Sequence, residues 1–150
     1  MDRADVRPPA AREKAAREKT AGEIAALLRL AELDSTLLDR EEGGEEAVDD
    51  VMANERRRLR ARLSPEVLEA YDRSLRAGRR PAVARLVGSV CCGCNMRMHS
   101  KLEQQIRRRR GVAPCPRCLR LVYDPAWLAA AALHVVQQAG VCREEGRGDR

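Results

Sequence analysis

The chain has 150 residues with 29 Lys and Arg against 23 Asp and Glu, a formal net charge of +6, no Phe, one Trp and two Tyr. So few aromatics, with Ala, Leu, Arg and Glu abundant, exclude an aromatic-rich globular enzyme core and point to long helices. No apolar run approaches the roughly 18 residues that span a bilayer, and residues 1–12 are charged and proline-bearing without an apolar leader, so a soluble cytoplasmic chain is expected.

Residues 1–9 read as a disordered lead-in, and residues 10–20 as a weak helix of Ala, Arg, Glu and Lys without an apolar stripe. From Ile24 a stripe sharpens at Ile24, Leu27, Ala31, Asp34 and Leu38, widened by Leu28, Leu30, Leu33 and Leu37. The run Glu41-Glu42-Gly43-Gly44-Glu45-Glu46 then breaks the helix at an acidic tip. A second helix, with Val48, Met52, Leu59 and Leu63 on one side and Arg56, Arg57, Arg58, Arg60 and Arg62 beside them, can pair back on the first as an antiparallel hairpin or short coiled coil. Ser64 as N-cap and Pro65 at the first helical position start a third helix that Gly78 ends. The helical part thus spans residues 10–78.

Residues 82–90 read as one strand entering a module at 79–124. Two Cys-x-x-Cys pairs, Cys91 with Cys94 and Cys115 with Cys118, have the spacing that wraps four thiolates around one ion. Disulfides would need an oxidising compartment, and a thioredoxin-like site would need a βαβ context that is absent. Cys92 with Cys94 would form a Cys-x-Cys that cannot make the usual turn, so Cys91 is taken as the ligand; His99 is a lesser alternative, and Cys142 and His134 carry no assigned role. Gly93, Asn95 and Pro116 suit tight turns, whereas Leu119 stands where a positive φ is often needed. A four-thiolate site keeps no open coordination position, so one structural Zn2+ is expected as the cofactor, supplying folding free energy to a ribbon too small to fold alone. Between the cysteine pairs, Ser100-Lys101-Leu102-Glu103 reads as a capping box opening a helix over 101–110, closed by Gly111. A strand over 119–123 leaves the second pair, and Asp124-Pro125 starts an apolar helix over 125–140 that should bury Trp127, Leu128, Ala131, Leu133 and Val135. Residues 141–150 read as a disordered tail.

The fold class expected is mainly α: a helical hairpin, a small β zinc ribbon, and a C-terminal helix. Ala25, Leu27, Leu28, Arg29, Leu30, Ala31, Glu32, Leu33 and Asp34, then Leu63-Ser64-Pro65-Glu66 with Tyr71, then the stretches at 88–98 and 115–123, together resemble the bacterial C4-type zinc-ribbon family. In that family a coiled-coil hairpin precedes a C-terminal ribbon. Matching the motif places its ligands at Cys91, Cys94, Cys115 and Cys118, and the resemblance implies a non-enzymatic nucleic-acid-binding or adaptor protein, with links to flagellar and secretion regulation in some members. This chain departs from the pattern in its shorter coil, in Leu119 where Gly is common, and in the apolar segment after Tyr123.

Charge distribution suggests where partners bind. Residues 79–123 carry eleven Lys and Arg against Glu103 alone, while residues 32–50 carry nine carboxylates against Arg40. The basic set Arg97, Lys101, Arg107, Arg108, Arg109, Arg110, Arg117 and Arg120 is expected to contact the phosphate backbone of RNA or DNA. The acidic set Glu41, Glu42, Glu45 and Glu46 is expected to meet a protein partner in transcription or secretion machinery. An alternative is an RNA-polymerase-binding regulator using that tip, by architectural likeness to the DnaK-suppressor family, whose tip aspartates are not matched here. No catalytic constellation is recognisable, no membrane partner is expected, and the sequence leaves the oligomeric state open.

Overall fold

The computed structural model describes residues 9–42 and 50–129. Those residues are mostly helical, with a five-stranded sheet. Helix α1 (Pro9–Glu42) is continuous, so the expected weak segment and the sharper one are a single element. Gly22 sits within it, with nothing within 4 Å of where a Cβ would stand. A mid-helix glycine costs about 1 kcal/mol, which the adjoining buried stripe of Ile24, Leu27, Leu30 and Ala31 offsets.

Helix α2 (Asp50–Ala61) packs on α1, burying Leu59. Arg29 Nε reaches Glu55 Oε1 at 3.0 Å, and Arg56 Nε reaches Asp34 Oδ1 at 2.6 Å. Helix α3 (Pro65–Arg76) follows the Ser64 cap position with Pro65 in its first turn, but the Ser64 hydroxyl makes no capping bond. Instead the Ser64 amide donates to Glu23 Oε1 of α1 at 2.6 Å. Arg60 then forks onto both Asp72 oxygens at 2.8 Å, joining α2 to α3. Gly78 takes φ 72 just past the end of α3, the left-handed conformation that glycine adopts without strain.

The sheet corrects the expected single strand over 82–90. Strand β1 (Val83–Val87) turns through Gly88 (φ 56) and Ser89 into β2 (Val90–Cys91), and β2 pairs with β3 (Met96–Arg97). Val87 lies opposite Val90, a hairpin connected by two residues with glycine first. On either side of the second cysteine turn, β4 (Val112–Pro114) and β5 (Leu121–Tyr123) pair antiparallel, and β5 lies parallel to β1, giving the order β3-β2-β1-β5-β4.

Alternation along these strands divides the interior in two. Val83, Val112, Leu121 and Tyr123 join Ile24, Leu27, Leu59 and Tyr71 in a core shared with the helices. Ala84, Ala113 and Val122 join Leu86, Met98, Ile106 and the buried cysteines in a second core on the metal side. Successive strand residues point to opposite faces, so each short strand serves both. A ribbon expected to make up its missing core with metal alone therefore has a second support, because its sheet rests on the helical layer.

Helix α4 (Ser100–Gln105) is capped by His99, not Ser100, because His99 Nδ1 accepts from the Lys101 amide at 3.3 Å. The anticipated capping box is one residue out of step, and Glu103 pairs with Arg107 Nε at 3.0 Å instead. The helix widens into a π-helical turn (Ile106–Arg110) that ends on Gly111 at φ 66. Asp124 does cap as expected, accepting from the Ala126 amide at 3.0 Å, but the element it opens among the described residues is a 3-10 turn (Pro125–Trp127). Trp127 and Leu128 are buried in the helical core, and the Trp127 indole N–H donates to the Ile106 carbonyl at 2.9 Å. The expected helix over 130–140, with Ala131, Leu133, His134 and Val135, and the tail with Cys142 lie outside the described residues.

Candidate metal centre and basic surface

Two similar turns carry the cysteines. In the first, the Asn95 amide donates to the Cys91 carbonyl at 2.8 Å; in the second, the Leu119 amide donates to the Cys115 carbonyl at 2.9 Å. Each turn needs a left-handed residue after its second cysteine, and Asn95 (φ 57) and Leu119 (φ 66) take those places. Asn tolerates this conformation; Leu does so at a cost of roughly 1–2 kcal/mol. The conflict expected at Leu119 is thus present in the fold.

The turns bring four sulfurs together. Cys91 Sγ lies 3.8 Å from Cys118 Sγ, Cys94 Sγ lies 3.8 Å from Cys115 Sγ, and all four sit within 4.8 Å of one another. Zinc–thiolate bonds of about 2.3 Å imply a tetrahedral edge of about 3.8 Å. The four-cysteine cluster therefore has the donors and the dimensions to hold a metal ion. Cys92 and His99 are not part of it.

Backbone amides and burial act on these thiols in opposite directions. Burial pushes the Cys91 thiol up, against bonds from the Gly93 and Cys94 amides. Burial likewise raises Cys94, against the Met96 amide. At Cys118 burial is outweighed by the Arg120 amide and the Arg120 guanidinium, which hold the thiol below its ordinary range. Amides aimed at sulfur stabilise thiolate, the form that binds metal.

Arg120 also fastens the two turns. Its Nε donates to the Pro81 carbonyl and a terminal nitrogen donates to the Gly93 carbonyl, both at 2.9 Å. A Cβ on Gly93 would stand 2.7 Å from Arg120 Cδ and 3.2 Å from Ala84 Cβ, so the close approach of Arg120 requires glycine there. Arg107, although exposed, is likewise engaged, with Glu103, with Asp124 Oδ2 at 3.2 Å and with the Gly88 carbonyl. Both arginines stand in the basic set expected to contact phosphate. Apart from the Glu103 pair, these attachments reach 17 to 39 residues along the chain, and spacing alone gives no sign of them.

The other basic residues divide differently. Arg97, Lys101, Arg108 and Arg117 are exposed, while the side chains of Arg109 and Arg110 lie outside the described residues. At the acidic tip, Glu41 and Glu42 end α1 with their side chains outside the description, and Glu45 and Glu46 are outside it altogether. No helix among the described residues is long and apolar enough to cross a membrane.

No protein-family model matches the chain, and no match was found among curated proteins or solved structures. What stands is a class defined by fold and site: a mostly helical protein with a five-stranded sheet whose two turns gather four cysteines in metal-binding geometry.

Proposed function

We propose that this is a non-enzymatic, cytoplasmic zinc-ribbon protein that binds nucleic acid through its phosphate backbone. One structural Zn2+ would be held by Cys91, Cys94, Cys115 and Cys118. The carrying observation is that Arg97, Lys101, Arg108 and Arg117 stand exposed on the strands, turns and helix that the four sulfurs draw together, while Arg107 and Arg120 fasten that framework through hydrogen bonds to distant segments. Cations on a rigid frame meet a polyanion without base readout, and such binding weakens steeply with salt.

The test is fluorescence anisotropy with zinc-loaded protein across a salt series, comparing wild type with Arg97→Gln/Lys101→Gln/Arg117→Gln. Log affinity should fall with log salt by about 0.9 per neutralised phosphate on duplex DNA, with a shallower slope in the variant. Absence of binding at low salt would refute the reading.

An adaptor role for the helical pair is the second reading. Its support is that Asp34 meets Arg56 while Arg40, further along α1, meets Met52, earlier in α2, as an antiparallel hairpin requires. Charge reversal at Glu41, Glu42, Glu45 and Glu46 should abolish co-purification with RNA polymerase if the tip is the contact; unchanged association would end that idea.

A further inference from the structure

The loop between α3 and β1 carries cations beyond Arg97, Lys101, Arg108 and Arg117. Residues 73–102 contain seven Lys and Arg and no carboxylate. Within that stretch Arg76, the last residue of α3, and Arg79 and Arg80 in the loop are exposed. The carboxylate just upstream, Asp72, is held by Arg60 on both oxygens, and Arg73 is held by Glu69 at 2.9 Å. Neither neutralises the loop.

This loop is a fixed support and not a loose tether. The Arg79 amide donates to the Ser74 carbonyl at 3.1 Å, and the Ser74 hydroxyl donates to the Ala82 carbonyl at 3.4 Å. The Pro81 carbonyl takes the Arg120 guanidinium, which also holds Gly93, and the Ala82 carbonyl accepts from the Leu121 amide at 2.9 Å. Arg80 is therefore one residue, and Arg79 two, from a clamp that joins both cysteine turns, and Arg117 lies in the second of those turns. Consecutive Cα atoms stand about 3.8 Å apart, so the loop cations and Arg117 border the same clamp.

The aromatic residues decide the form of the ligand. Tyr71 and Tyr123 are 0% exposed, Trp127 is 8% exposed, and the chain has no Phe. Binding of single strands draws on bases stacked against exposed aromatic rings, and this protein offers none. A duplex, whose bases are already stacked and whose phosphates face outward, asks only for correctly placed cations.

We propose that Arg76, Arg79 and Arg80 form a second phosphate-contacting patch, joined to Arg117 through the Arg120 clamp, and that the ligand is duplex nucleic acid bound independently of sequence. This rests on the proposed nucleic-acid binding and specifies its footprint and its ligand.

The experiment uses the full zinc-loaded chain, two unrelated DNA duplexes and a single strand of equal length. Three proteins are compared: wild type, Arg76→Gln/Arg79→Gln/Arg80→Gln, and the same three positions changed to Lys. Wild type should bind both duplexes alike and the single strand more weakly. The Gln variant should flatten the salt slope by about 2 to 3, at roughly 0.9 per lost phosphate contact, and the Lys variant should restore it because charge alone is required. A Gln variant with the wild-type slope overturns the second patch, as does a Lys variant as impaired as the Gln one, since the loss would then come from the fold. Single-strand binding equal to or tighter than duplex binding overturns the choice of ligand. If wild type shows no salt-dependent binding to any of the three, the underlying nucleic-acid reading fails, which is distinct from a binding wild type whose loop variants behave normally.

Discussion

The polar group Asp34, Tyr71 and Arg56 sits at the junction of the first three helices and should be a strong determinant of stability. Tyr71 is 0% exposed and its hydroxyl donates to Asp34 Oδ2 at 2.7 Å, while Arg56 Nε donates to Asp34 Oδ1 at 2.6 Å. Both carboxylate oxygens are thus satisfied in a residue that is 7% exposed. Tyr71→Phe removes one charge-assisted bond and should cost about 1.5–3 kcal/mol. Asp34→Ala leaves the Tyr71 hydroxyl buried without its acceptor, about 1–3 kcal/mol, and also removes the partner of Arg56, for a total of about 3–4 kcal/mol. Arg56 is the more solvated partner, with a side chain 39% exposed, so its own desolvation adds little.

The two losses should not add. Once Asp34 is gone, deleting the Tyr71 hydroxyl removes an unsatisfied group, so the double variant should be more stable than the sum of the singles predicts by about 1–2 kcal/mol. Urea unfolding of wild type, Tyr71→Phe, Asp34→Ala and the double variant measures this coupling directly. Additivity within about 0.3–0.5 kcal/mol would refute the reasoning, because independent sites behave in that way.

Alkaline pH should act on the same site. Burial, then the bond to Asp34, raises the Tyr71 phenol above its ordinary value, and burial raises Tyr123. The unfolded chain then loses these protons first, so the tyrosines' contribution to stability is intact below about pH 10 and, for Tyr71, falls above it by about 1.4 kcal/mol per pH unit. Tyr71→Phe should make the fall shallower, and an unchanged slope would exclude Tyr71 as a contributor. Gly111→Ala should destabilise by about 2–4 kcal/mol, since its φ is +66 and its Cβ would stand 2.6 Å from Thr20 Cγ2 and 2.7 Å from Ile24 Cδ1. Leu119→Gly should be neutral or stabilising by up to about 1 kcal/mol in thermal unfolding, because relief of left-handed strain exceeds the entropy of glycine; a loss above about 1 kcal/mol would show that Leu119 packing dominates. Metal chelation should release amide protection at Cys91, Ala113 and Val122 on the metal side before it does so at Ile24 and Leu27, which belong to the helical core; simultaneous release would mean that the two cores do not unfold separately.

The sequence was most legible where a residue type has a local consequence. The cysteine spacing, the Ser64-Pro65 start, the Gly111 stop and the awkward position of Leu119 all arise from turns of a few residues, and the fold contains each of them. Less legible were features decided by distant partners. The continuity of α1 through Gly22 depends on tertiary burial of Ile24 and Leu27, which a local propensity reading underweights. The parallel pairing of β1 with β5 joins Val83 to Leu121, a relation that short strands do not announce. His99 took the cap from Ser100, a shift of one residue that leaves Glu103 to pair with Arg107. The basic run also concealed a second role: counting charge cannot show that Arg107 and Arg120 bind backbone carbonyls of distant segments.

Because the strands are so short, the metal side and the helical side share their strands, and each supports the other even where the metal side opens first. In β1, Val83 faces the helical core and its neighbour Ala84 the metal-side core; in β5, Val122 faces the metal side between Leu121 and Tyr123, which face the helices. A shift of one residue in either strand would exchange these faces and expose both sets at once. Drawing the four cysteines together therefore also holds β1 and β5 in register against α1 and α3, and the helical core in turn limits how far the cysteine turns can separate. Arg120 adds a second tie at the same place, since the carbonyl of Pro81, two residues before β1, and that of Gly93 share its guanidinium. A basic surface built on that junction keeps its geometry only while both cores are intact, so variants that loosen Gly93 or Arg120 should weaken polyanion binding even though neither residue needs to touch the ligand.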